Sequence, residues 1–151
     1  MASTSISRSE RCPGLVVLAL FSTALVLARP AGAADLTVGI GGLRSTDGNV
    51  HVAIFDTPAT FAKSDGVLME RIVPAGAPEA VFEGVAPGTY ALATFHDENG
   101  NGTFDKNFLG IPQEGYGFSN GARPFLSAPP FADAAFVVPP EGAAIALHMV
   151  Y

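Results

Sequence analysis

The stretch His96 to Asp105, His-Asp-Glu-Asn-Gly-Asn-Gly-Thr-Phe-Asp, holds the residues whose types and spacing can do chemistry. Asp97, Asn99 and Asn101 alternate, Gly102 follows where a sharp bend is needed, and Asp105 closes the set. Side-chain oxygens at these intervals, with the backbone carbonyl of Thr103, fold around one hard cation, and calcium suits them best. Asp97 then takes the first loop position and Asp105 the ninth. The twelfth, which normally carries a bidentate glutamate, is Phe108, so the loop is not a complete EF-hand loop. Glu114 or a backbone carbonyl is expected to supply the missing ligand. With two asparagines in the set a weak site is predicted, with a dissociation constant of about 10⁻⁴ to 10⁻³ M. The competing reading makes Asn99-Gly100 and Asn101-Gly102 simple turn formers beside two solvated aspartates.

His96, Asp97 and Glu114 also allow an enzyme reading, an envelope metal-dependent hydrolase with His96 as general base or transition-metal ligand. His51 and His148 fall on other predicted strands, and no His-x-x-x-His or Cys-x-x-Cys spacing accompanies them. Ser119 lacks the Gly-x-Ser-x-Gly turn of hydrolases, and no glycine run matches a phosphate loop. No catalytic residue is therefore assigned. Tyr116, Phe118 and Asn120, with His96, form a possible ligand surface, although Tyr116 and Phe118 serve equally well as anchors for a long loop.

The elements that must position these groups read as strands. Leu36, Val38 and Ile40 share one parity, and Val50, Val52 and Ile54 resume it after a turn at Ser45 to Asn49. Asp47-Gly48 between alternating runs predicts a hairpin pairing 35–43 with 49–56. Further strands are expected over 67–73, 79–85, 90–95, 132–138 and 143–151, with a type II turn at Ala86-Pro87-Gly88-Thr89. A short helical turn over 58–64, capped by Thr57, carries Phe61 under the sheet. These seven strands make an all-β, antiparallel β-sandwich, immunoglobulin-like or transthyretin-like. Residues 98–130 show no clear strand. Their aromatic and aliphatic content predicts an ordered excursion, the long loop 97–130, packing its own apolar side chains over one end of the sandwich.

Ahead of the domain, Arg8 and Arg11 precede an apolar run from Gly14 to Ala28, and Ala31-Gly32-Ala33 supplies a small-x-small cleavage pattern. Residues 1–33 thus read as a cleaved signal peptide, and 34–151 as one domain that is periplasmic or secreted. The sole cysteine, Cys12, lies in the leader, so neither disulfide nor thiolate chemistry is expected of the domain. Arg8, Arg11, Arg29 and Glu10 go with the leader, and the chain's 8 basic and 14 acidic residues fall to 5 and 13, a formal charge of −8. Such a surface repels phosphate backbones, which argues against nucleic acid as a partner. No later segment is long and apolar enough for a transmembrane helix.

Three blocks, Pro87-Gly88-Thr89-Tyr90-Ala91-Leu92, His96 to Gly102 and Gly110-Ile111-Pro112-Gln113-Glu114-Gly115-Tyr116-Gly117-Phe118-Ser119-Asn120, resemble a secreted bacterial family known only as a domain of unknown function. The resemblance implies a small exported β-sandwich and brings no activity with it. More loosely, the Pro-Gly-Thr-Tyr strand start is similar to that of transthyretin-like and carboxypeptidase-regulatory-like domains, and the acidic loop to calcium loops of adhesin repeats. The combined expectation is a calcium-stabilised binding or structural module of the cell envelope, its partner an envelope protein or a small ligand.

Overall fold

The structure is a computed structural model that describes residues 32–151. The expected signal peptide lies outside the described residues apart from Gly32 and Ala33. Eight strands follow: β1 (Ala34–Gly41), β2 (Asn49–Phe55), β3 (Met69–Pro74), β4 (Glu79–Val85), β5 (Gly88–Asp97), β6 (Gly115–Phe118), β7 (Phe136–Val138) and β8 (Ala143–His148). They form two sheets, β4-β1-β8 and β3-β2-β5-β6, with β7 paired to the start of β5. Among the described residues no helix is long and apolar enough to cross a membrane.

The alternation read from the sequence decides which side chains go inside. Leu36, Val38 and Ile40 of β1 face Val50, Val52 and Ile54 of β2 across one core, joined by Phe82, Leu92, Val138 and Leu147. Burying such side chains is worth about 1.5–3 kcal/mol each. Period-2 patterning is thus satisfied in both layers, as a sandwich requires.

The predicted hairpin of 35–43 with 49–56 does not form. β1 pairs with β4 and, in parallel, with β8, whereas β2 lies between β3 and β5 in the other sheet. Alternation specifies the buried face of a strand and says nothing of its neighbour; here residues 42–48 cross between layers. The β1–β8 pair also makes the sandwich mixed rather than wholly antiparallel.

Other local expectations shift as well. Gly88 does not adopt the left-handed backbone of a type II turn; it opens β5, where a Cβ would stand 3.2 Å from the Tyr90 ring. The tyrosine hydroxyl donates to Ala86 O at 2.9 Å, pinning the corner. Residues 58–62 form turns and Ser64–Gly66 a 3₁₀ turn, in place of one helical segment. Thr57 Oγ1 does accept from Ala59 N at 3.4 Å, and Phe61 is buried against Phe55, Ala91 and Ala134. The strand expected over 132–138 is split: Phe131–Ala134 is one helical turn, α1, and only Phe136–Val138 is extended.

The long excursion departs furthest from expectation. It contains β6, paired with β5 from Ala93↔Phe118 to His96↔Gly115. Its apolar side chains are only partly its own core. Phe104, Tyr116 and Phe118 form a run of ring contacts with centroids about 6 Å apart. Phe108, Leu109, Ile111, Phe125 and Leu126 instead stand exposed, Phe108 and Leu126 at 95% and 98%. Pairing with β5 orders the excursion, so its tips are not needed for packing.

Candidate cation loop and adjoining groove

The acidic loop begins where β5 ends. Asp97 is the last residue of that strand, 1% exposed, and its carboxylate turns into the loop it starts. Oδ1 accepts from Gly100 N at 2.8 Å and Asn101 N at 3.0 Å, and Oδ2 from Gly102 N at 2.8 Å. Gly102, at φ +75°, makes the bend its position calls for. The Asn99 side-chain oxygen accepts from Asn101 N at 2.9 Å, and that of Asn101 from Thr103 N at 2.7 Å. The side-chain nitrogens of both asparagines donate to one oxygen of Asp105, Asn99 Nδ2 at 2.7 Å and Asn101 Nδ2 at 2.9 Å. Three of the expected side chains, Asn99, Asn101 and Asp105, therefore meet in one tight turn, while Asp97 holds the backbone amides of that turn.

Glu114 joins them from the returning segment. It is 4% exposed, and its Oε2 accepts from Asp105 N at 3.1 Å. Its Oε1 is buried and has no hydrogen-bond partner. A buried carboxyl oxygen left unpaired is costly, and the usual remedies are a donor or a metal ion. Among the described residues no three carboxylate, thiolate or imidazole groups gather as a metal centre. A cation here would rest on Asp97, Asp105, the two asparagines, Thr103 and Glu114, an oxygen set of the calcium kind.

His96 is placed quite differently from expectation. It is fully buried and belongs neither to the loop nor to a ligand surface. Nε2 lies 2.7 Å from Asp47 O, and Nδ1 2.7 Å from the Tyr151 hydroxyl. A carbonyl can only accept, so the neutral tautomer that satisfies both contacts carries its proton on Nε2. Both ring nitrogens are thus engaged by Tyr151 and Asp47 rather than by Asp97 or Glu114. Asn120, at φ +57°, is likewise occupied, donating to Ala135 O at 2.6 Å. Tyr116 and Phe118 do line a groove, together with a histidine absent from the expected site, His51.

His51 lies on β2 opposite Phe95 and stacks on it, ring centroids 4.4 Å apart and planes 13° from parallel. Nδ1 is 3.1 Å from Glu70 Oε1, and Nε2 3.7 Å from Asp97 Oδ2. His51 thus links the groove floor to the loop's first residue. Parity held the signal: in β2 the even residues are core, which sends His51 to the outer face of the sheet. That face, bounded by 102–112 and 124–128, forms an open groove of about 1120 Å³.

Beside the loop, Glu98 is chelated by Arg44 through Nε, at 2.9 and 3.0 Å, and through Nη2. The Arg44 hydrogen bonds, opposed by desolvation and helped by Ser45, hold the Glu98 carboxyl below its ordinary range. A depressed carboxyl pKa stabilises the fold above the unfolded-state value, and the contribution fades as pH falls through the folded value. Arg44→Ala is accordingly expected to flatten the acid limb of the stability curve below the ordinary glutamate range. Urea midpoints measured from neutral to acid pH check this; an unchanged slope would remove Glu98 from the acid response.

The fold and loop define a two-sheet sandwich that carries an oxygen-rich turn beside a groove. Residues 38–146 match a family described as an uncharacterized protein conserved in bacteria (DUF2141), and the chain belongs to that family. Neither a curated protein nor a solved structure matches it.

Proposed function

We propose that the protein is an exported, calcium-stabilised binding module of the bacterial cell envelope. Export is supported by the basic, apolar and small-residue order of residues 1–33. The calcium half rests chiefly on Glu114, whose buried carboxylate touches Asp105 N with one oxygen while the other has no partner. An ion held by Glu114 and the turn would supply that partner. Gly102, Thr103, Phe104 and Lys106, on or next to the turn, line the groove, so an ion there would stiffen a wall of the binding surface.

Thermal unfolding tests it. A site with a dissociation constant of about 10⁻⁴ to 10⁻³ M gains roughly 1–2 kcal/mol at about 5 mM calcium. For a domain of this size that raises Tm by several degrees. Asp105→Ala keeps the amide bonds to Asp97 and is expected to abolish the rise. The same rise in that variant, or none in the parent protein, would return the loop to a bare turn.

A further inference from the structure

The groove on the outer face of the five-stranded sheet has a specific chemistry. Its floor carries Phe95, Tyr116 and Phe118, with Phe104 set between the first two at centroid distances of 5.6 and 6.1 Å. Its rim carries Leu109, Ile111 and Leu126, exposed at 67%, 54% and 98%. Exposed aliphatic side chains bordering an aromatic floor mark a surface that gains by being covered. Ala62 and Leu126, two of the three described non-glycine residues with left-handed backbone, also border it. Strain of this kind, of order 1–3 kcal/mol per residue, collects at ligand sites.

Charge selects the occupant. The domain holds only Arg44, Lys63, Arg71, Lys106 and Arg123 against 13 acidic residues, yet both lysines line this groove. Lys63 Nζ donates to Ala59 O at 2.7 Å, and Lys106 Nζ sits 5.2 Å from the Phe104 ring centroid. Neither ammonium meets a carboxylate among the described residues, whereas Glu70, the groove's own acid, is turned to His51. The volume of about 1120 Å³ has room for a long alkyl chain.

We infer that the groove binds a single-chain anionic amphiphile: the apolar body lies over Phe95, Tyr116 and Phe118, and the acidic head meets one of the two lysines, Lys63 or Lys106. This rests on the binding half of the proposed function and is independent of calcium. The net charge of the domain favours cations at long range, so a preference for an anion has to come from the two lysines.

The test compares dodecanoate with dodecyltrimethylammonium, both below micelle formation, by isothermal titration of the full chain with and without calcium. Dodecanoate is expected to bind with one-to-one stoichiometry, about tenfold more tightly than the cationic amphiphile. Lys63→Gln with Lys106→Gln is expected to erase that preference, and Ile111→Glu to weaken both ligands. Since all three side chains are at the surface, the variants should melt with the parent. Equal affinity for the two amphiphiles, a preference that survives the double substitution, or no saturable binding overturns the inference. So does sedimentation with phosphatidylglycerol vesicles in the absence of monomeric dodecanoate binding, which would make the face a membrane contact. Binding that persists when calcium produces no thermal shift sinks the calcium reading alone.

Discussion

Gly48→Ala is expected to cost the domain about 3 kcal/mol or more, although the residue is on the surface of a turn. Two terms add. Gly48 holds φ at +67°, where an alanine costs roughly 1–2 kcal/mol. A Cβ there would also stand 1.9 Å from Asp97 O and 2.9 Å from Glu98 Cα. Neither obstacle is a flexible side chain; both are the backbone at the mouth of the acidic loop. The turn that leads into β2 would have to lift off the end of β5, straining the Asn49↔Asp97 pairing and the Ala75 N bond to Gly48 O at 3.2 Å. A fall in Tm of about 10 °C or more is the corresponding readout. Because the displaced atoms belong to Asp97, the calcium response should weaken too. A variant that melts within about 2 °C of the parent would show that the close approach is not maintained in solution.

Asp97→Ala is expected to be of similar size for a different reason. Three consecutive loop amides, at Gly100, Asn101 and Gly102, converge on this one buried carboxylate. Hydrogen bonds to a charged acceptor are worth about 1.5–3 kcal/mol each, and removing the acceptor leaves the donors to find water. The partly exposed loop can recover some of that, which suggests a net loss of about 3–4 kcal/mol. Asp97→Asn should restore little, since its amide nitrogen would face a donor already pointing at it. Urea unfolding measures the loss. Amide exchange locates it, with protection at residues 100–102 expected to disappear first. If both variants unfold with the parent's midpoint, the carboxylate does not organise the loop.

Strand locations were largely legible in the residues. Glu79 to Val85 was read with its observed limits, and the run Tyr90 to Phe95 lies within β5. β6 was not legible. Gly115-Tyr116-Gly117-Phe118 alternates glycine with aromatics and reads as a loop. Gly117 is nonetheless the residue that lets the strand approach, because a Cβ there would stand 2.8 Å from His148 O. Such a contact with a residue 31 positions away, His148, has no local signature. The turn from Asp97 to Asp105 was legible because its bends follow from residues close along the chain, whereas the approach of Glu114 from the returning segment is tertiary.

Composition, alternation and turn chemistry together determined an acidic, all-β chain with a turn of oxygen-bearing side chains at the end of a strand. These are properties of near neighbours along the chain, set by side-chain period and by φ preference. Only the tertiary structure decided which strands share a sheet and which groups each histidine meets. His96 and His51 differ by one step of parity relative to their strands, and that step sends one ring to the Tyr151 hydroxyl and the other onto Phe95. The groove is a tertiary product as well. Its floor comes from β2, β3, β5 and β6, and its walls from two arms of the excursion and from residues 62–67 between β2 and β3. Residues so distant in the chain meet only once long-range pairing has been chosen, and local pattern carries no energy that chooses it.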